Sequence, residues 1–209
     1  MATPMGLSLS LPETFAVLEG PRADPHEIVF LAFVELVARG IGGLVPVAKD
    51  EVALSLSDRP IGAGPVAAVA KMLAGCQRAE TGDGRVYVPT SAAASGFTGT
   101  WPTARHFVRA EVWGALVSRE LVTTRPNVLD SLFVVDAWHL TTAGDVEKRR
   151  LEGELSAEPH WKEAPATALL AVHALPVLSD ETFAALDELE DLVTPGDPPG
   201  PYDAGGGPP

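Results

Sequence analysis

The stretch 24-DPHEIVFLAFVELVARG-40 constrains this chain more than any other. Asp24 is a helix N-cap, Pro25 suits the first helical position, and Gly40 is a C-terminal stop. Between them, apolar residues fall on nearly every side of the helix rather than along one stripe. A helix that is apolar all round has to be enclosed by other elements. Membrane insertion is the other way to satisfy such a face, and it needs about 18 or more uninterrupted apolar residues. The run from Ile28 to Ala38 is shorter, contains Glu35 and ends at Arg39. The stretch therefore predicts a central buried helix.

With 46% hydrophobic residues among 209, the chain can supply the shell that such a helix needs, as one domain or two very small ones. Pro12 to Glu19 predicts a short helix. Leu44–Val47 and Val52–Leu56, joined by a Lys-Asp turn, predict a hairpin. Gly64-Pro65 opens a helix over VAAVAKMLAGC, and Thr81–Gly84 is a turn ahead of a small strand at Val86–Val88. The Ser/Ala/Gly/Thr-rich segment Thr90–Gly99 predicts a mobile loop.

Trp101-Pro102 precedes a long helical pattern ending near Val122, with Phe107, Val108, Val112, Leu116 and Val117 on or near one stripe. Leu132–Leu140 predicts a strand, and helices follow at Asp145–Leu155, Ala166–Leu175 and Asp180–Val193. Residues 194–209, rich in Pro and Gly, predict a disordered tail. The fold class is thus mainly α: a single helical domain over residues 1–193 with small β-hairpins. An internal echo between ELVARGIGGLV (35–45) and ALVSRELVTT (115–124) raises the alternative of two winged-helix-like units.

Charge narrows the partners. There are 15 Lys and Arg against 28 Asp and Glu, a formal charge of −13. A nucleic-acid reader presents a basic face, and here one can exist only locally against an opposing field. Nucleic acid is therefore disfavoured as a partner. The single cysteine, Cys76, cannot form an internal disulfide, and a reduced, cytoplasmic setting is the simplest reading. The N-terminus lacks the basic and apolar regions of a secretory signal.

Enzyme constellations are absent from the pattern. The five histidines stand at no metal-ligand spacing, and there is no P-loop, G-x-S-x-G or H-E-x-x-H. Neither a metal nor a cofactor is expected. Cys76 reads as a core residue, and Asp187, Glu188, Glu190 and Asp191 read as a solvated helix face. Lys148, Arg149 and Arg150 are spread by a helix over about 200 degrees and are surrounded by Glu147, Glu152 and Glu154, so they read as a salt-bridged surface.

Arg105 and Arg109 stand at i, i+4 with His106 between them and Trp101 a turn earlier. They form one basic patch near a helix start, where backbone amides also favour anions. The two readings are a pocket for a phosphate-bearing headgroup, and a plain surface in which Arg109 pairs with Glu13 or Glu111.

LSLPETF, ELVARG, GAGPVAAVAKML, ALVSRELVTT, SLFVVDAWHLTTAGDVEKRRLEGEL and PATALLAVHAL follow one another across roughly residues 8–190, and in that order they resemble the Golgi phosphoprotein 3-like family. The resemblance implies a mainly helical domain acting as a peripheral membrane adaptor that recognises a phosphoinositide headgroup and membrane-protein tails. Carried over by position, Arg109 matches one pocket arginine and His106 stands where another would be. The N-terminal helix arginine falls near Ile28 and Val29, and no pocket tryptophan precedes it, so the headgroup pocket is only partly present. The membrane-touching hairpin corresponds to 128–135, with Leu129, Leu132, Phe133 and Val134 as its apolar residues.

The Ala/Gly/Pro-rich composition, with Arg over Lys, suggests a GC-rich bacterial source, where phosphoinositides are no default ligand. The expected function is a non-enzymatic cytoplasmic adaptor, peripheral to the membrane at most, that meets an anionic lipid headgroup or a protein partner. Self-association is left open. The alternative is a tandem winged-helix-like regulator or scaffold acting through protein contacts.

Overall fold

The structure, a computed structural model, describes residues 9–48, 51–59, 62–124, 138–158 and 161–194. Helix α2 (Pro25–Ala38) occupies the centre, as its all-round apolarity requires. Ile28, Val29, Leu31, Ala32, Phe33, Val34 and Leu36 have no exposed surface. Apart from the small Ala32, each such side chain contributes on the order of 1.5–3 kcal/mol by leaving water. Its N-terminus is capped by Asp24, whose carboxylate accepts from the His26 amide at 2.9 Å.

Around α2 pack α1 (Leu11–Glu19), α3 (Pro65–Gly75), α5 (residues 104–118), α7 (Pro165–Val172) and α8 (Asp180–Val193). Helix α5 is continuous from Ala104 to Ser118. It opens as an α turn, Ala104–Phe107, passes through a π segment, Val108–Trp113, and closes as α over Gly114–Ser118. Helix α4 (Thr90–Thr100) lies between α3 and α8, and α6 (Thr142–Glu154) packs on α1. The sheets are three antiparallel pairs: β1 (Gly42–Ala48) with β2 (Glu51–Leu56), β3 (Ala79–Glu80) with β4 (Val86–Tyr87), and β5 (Val122–Thr124) with β6 (Trp138–Leu140). The chain is mainly helical with small hairpins, as expected.

The internal echo has a physical basis. After α2, the Gly40 amide donates to the Val37 carbonyl (2.8 Å) and the Ile41 amide to that of Leu36 (3.0 Å), with Gly40 at φ +65°. This is a Schellman cap. After α5 the same bonds run from Glu120 to Val117 (2.9 Å) and from Leu121 to Leu116 (3.0 Å), with Glu120 at φ +60°. The agreement continues at the ends of the strand pairs. The Ser57 hydroxyl donates to the Gly40 carbonyl at 2.8 Å, and the Thr141 hydroxyl to that of Glu120 at 2.6 Å. The Ser57 amide reaches Ile41 at 2.9 Å, as the Thr141 amide reaches Leu121 at 3.0 Å.

Helix–cap–hairpin–helix therefore occurs twice, as 25–75 and 104–154. A third copy of the cap, without a hairpin, ends α7: Ala174 at φ +50° donates to Ala171 (3.0 Å) and Leu175 to Leu170 (2.8 Å).

The expected loop at Thr90–Gly99 is instead helix α4. Its hydroxyls, which favour turns in isolation, fold back onto the helix: Ser95 donates to the Ser91 carbonyl, Thr98 to Ala94 and Thr100 to Gly96, at 2.8–2.9 Å. Tertiary packing then fixes the helix, with Ala93 and Phe97 buried between neighbours. A side chain at Gly96 would lie 2.5 Å from the Cys76 sulfur, so glycine is what admits α4 against α3.

The apolar stripe of α5 buries Phe107, Val108, Val112 and Leu116, while Val117 faces solvent. The expected strand 132–140 is described only over Trp138–Leu140. The expected tail, apart from Thr194, lies outside the described residues, and so do Leu129, Leu132, Phe133 and Val134 of the interaction hairpin.

Candidate functional site

The basic patch is built at the start of α5. Thr103 caps the helix, and its hydroxyl lies 2.9 Å from Nδ1 of His106, fixing that ring against the cap. Trp101, which the sequence placed beside the patch, is turned inward. It packs edge-on against Phe107 with ring centres 5.0 Å apart, touches Phe97, and donates from Nε1 to Glu111 at 3.2 Å. Arg105, His106 and Arg109 are exposed around this buried aromatic cluster. The first two stand in the α turn and Arg109 in the π segment that follows. A π segment inside an α-helix is rare and concentrates at functional sites.

Glu111 accepts the Trp101 indole N–H, and Glu13 pairs with Arg119, whose Nε is 3.4 Å from Oε1. Ile28 and Val29, where the resemblance would put an N-terminal arginine, are wholly buried.

A second cluster surrounds the first turn of α1, and each of the three caps contributes its last basic residue to it. Arg39 donates from Nε to Glu35 at 2.5 Å, Arg119 faces Glu13, and Nε2 of His173 lies 2.9 Å from the Thr14 hydroxyl. Glu35 also accepts the Leu11 amide at 2.6 Å, and Glu13 closes a capping box with Ser10. Both carboxylates are buried. Burial pushes the Glu35 carboxyl up, against the pull of the Leu11 amide and Arg39. Burial pushes His173 down, assisted by Arg39. Each member is matched to a partner that holds an element in place, so the cluster is a structural hub.

The third cluster joins α2 to α8. His26 places Nδ1 3.0 Å from Glu190 and 3.1 Å from the Thr194 hydroxyl. Glu190, expected on a solvated face, is buried because Leu186, Leu189 and Val193 seat α8 on the core; Asp187, Glu188 and Asp191 are exposed as expected. Burial pushes the Glu190 carboxyl up. It pushes half-buried Glu27 to about 7, with Asp24, Asp187 and Glu190 adding to the shift.

Between α3 and α4 opens a cleft of about 650 Å³, lined by Lys71, Met72, Cys76, Ser91, Ser95 and Gly96 among others, and by none of the three patch residues. Cys76, expected in the core of a helix, caps the end of α3 and is half-buried at this cleft. Its thiol is pushed up by burial, which opposes use as a nucleophile.

Within the triplet 148–150, Arg150 pairs with Glu147 and Glu154, and Lys148 lies 4.0 Å from Glu152. Lys148 does more than expected, donating to the Leu18 carbonyl at 2.6 Å and so closing the end of α1.

Among the described residues, no helix is long and apolar enough to cross a membrane, and no group of His, Cys, Asp and Glu is arranged to hold a metal. Comparison with family models, with curated proteins and with solved structures finds no match to the chain.

Proposed function

We propose that the chain is a non-enzymatic adaptor whose Arg105–His106–Arg109 face engages an anionic group at a membrane surface, as the resemblance to Golgi phosphoprotein 3-like proteins implies. The observation that carries this reading is the exposure of three basic side chains within five residues, on a chain whose formal charge is −13. Their shared helix start adds amide dipoles of the same sign. With Ile28 and Val29 buried, the contact is a shallow surface one rather than an enclosed headgroup pocket.

Vesicle flotation tests it. Vesicles of anionic phospholipid, with and without a phosphoinositide, should carry the wild-type protein up the gradient at low salt. Combined Arg105→Ala and Arg109→Ala replacement should abolish this. Failure of the wild type to float with any anionic vesicle would remove the membrane part of the proposal.

A second reading is a tandem helix–hairpin–helix scaffold acting through protein contacts. It draws on the repeated cap and strand bonding of 25–75 and 104–154. A salt-steep gel shift with duplex DNA would instead favour a nucleic-acid role for these units.

A further inference from the structure

Helix α8 lies across α2 and α4, anchored by Leu186, Leu189 and Val193 and by Phe183, whose ring meets that of Phe30 at 6.5 Å. The polar part of this contact has an unusual charge arrangement. Asp24 and Glu27 stand one turn apart at the start of α2, and Asp187 and Glu190 stand one turn apart on α8. The charges acting on Glu27 are those of Asp24, Asp187 and Glu190, all negative, and Asp191 acts on Glu190 in the same sense. His26 is the basic group in the cluster, bound to Glu190 and Thr194. Carboxylates drawn together in a partly dry contact cannot all ionise without loss, so one of them retains a proton or the contact gives way.

We propose that the α2–α8 contact is a proton-operated latch: α8 seats fully while Glu27 carries a proton and loosens when Asp24, Glu27, Asp187 and Glu190 are all charged. The direction follows from linkage. The Glu27 carboxyl is pushed from 4.5 to about 7 with α8 in place, so the seated state binds the proton more tightly than the loosened one. Acid therefore favours seating. The change runs from about pH 5 to about pH 7 and levels off above, where the carboxyl is ionised in both states. Fully expressed, the shift corresponds to roughly a few hundredfold in the seating equilibrium. Because Glu27 is only half-buried, solvent screening reduces the expectation to about tenfold.

Hydrogen exchange on the full chain reads the latch, with labelling times scaled to the intrinsic exchange rate at each pH. Peptides covering 180–193 should lose about tenfold in protection between pH 5 and pH 7.5, while peptides over 28–36 report the core. Glu27→Gln should keep α8 protected and flat across the range. Wild-type protection that does not change with pH overturns the proposal. So does a Glu27→Gln protein that keeps the wild-type slope, and so does a slope lost in His26→Gln alone. Carbon-13 titration of the Glu27 carboxyl in the unmodified chain gives an independent reading, with a midpoint near 7 expected. A midpoint in the ordinary carboxylate range, about 4.3, also overturns it.

Discussion

Replacing Glu120 by glycine should stabilise the protein, although it removes a side chain and adds backbone freedom. Glu120 holds φ +60° at the position where the equivalent cap after α2 has Gly40 at φ +65°. A residue with a Cβ loses about 1–2 kcal/mol in that region. The glycine forfeits about 0.4–1 kcal/mol through the unfolded chain. The Glu120 side chain is exposed, so no packing is lost, and its carbonyl still accepts the Thr141 hydroxyl. Removing a negative charge from a helix C-terminus adds about 0.3 kcal/mol.

The net expectation is a gain of about 1 kcal/mol, or a rise of roughly 2–4 °C in Tm for a chain of this size. In urea the midpoint should move up by about 0.5 M with the slope unchanged. Glu120→Ala isolates the charge, because alanine keeps the strained φ; it should recover only a fraction of the gain. Gly40→Ala should do the opposite and lose about 1–2 kcal/mol, since its Cβ would also meet the Arg59 guanidinium at 3.1 Å. If Glu120→Gly lowers the midpoint, or leaves it unmoved while Gly40→Ala is also neutral, the equivalence of the two caps fails.

Two further predictions concern the interior. A Cβ at Gly144 would lie 2.0 Å from the Leu121 carbonyl oxygen, backbone against backbone. Gly144→Ala should therefore cost about 3 kcal/mol or more in thermal unfolding, whereas Gly153→Ala on the same helix meets nothing and should be neutral or gain up to about 1 kcal/mol. Glu35→Ala strands the buried Leu11 amide, while Arg39 is exposed and stays solvated, so it should cost about 1–3 kcal/mol in urea denaturation; Glu35→Gln keeps an acceptor for Leu11 and should cost clearly less. Equal losses for the two would show that the ion pair, rather than the amide bond, dominates the site.

Much of this architecture was legible because it rests on local chemistry. The α2 helix carries its cap, its proline and its stop in sequence, and all-round apolarity forces it to the centre. What was missed depended on neighbours far along the chain. Segment 90–99 has the composition of a loop, and only the packing of Ala93 and Phe97, together with the close approach allowed by Gly96, makes a helix of it. Trp101 looked like a companion to Arg105 because helical spacing puts them near each other. Its indole is instead drawn inward by Phe97 and Phe107, contacts that no spacing rule contains.

The echo between the two halves was visible as Leu-Val-x-Arg, yet its meaning lies less in those letters than in the bonds after them. The third cap ends in Val-His-Ala-Leu and shares only the leading leucine and the apolar residue after the turn. All three caps leave a basic group at the same place, and Arg39, Arg119 and His173 all turn to the start of α1. A basic residue at that position is therefore predicted by the architecture and needs no ligand to explain it. Arg105 and Arg109 have no such place in the repeat: they precede the cap, on an exposed face interrupted by a π segment. That contrast separates cations placed by the repeated cap from cations placed by the exposed start of α5.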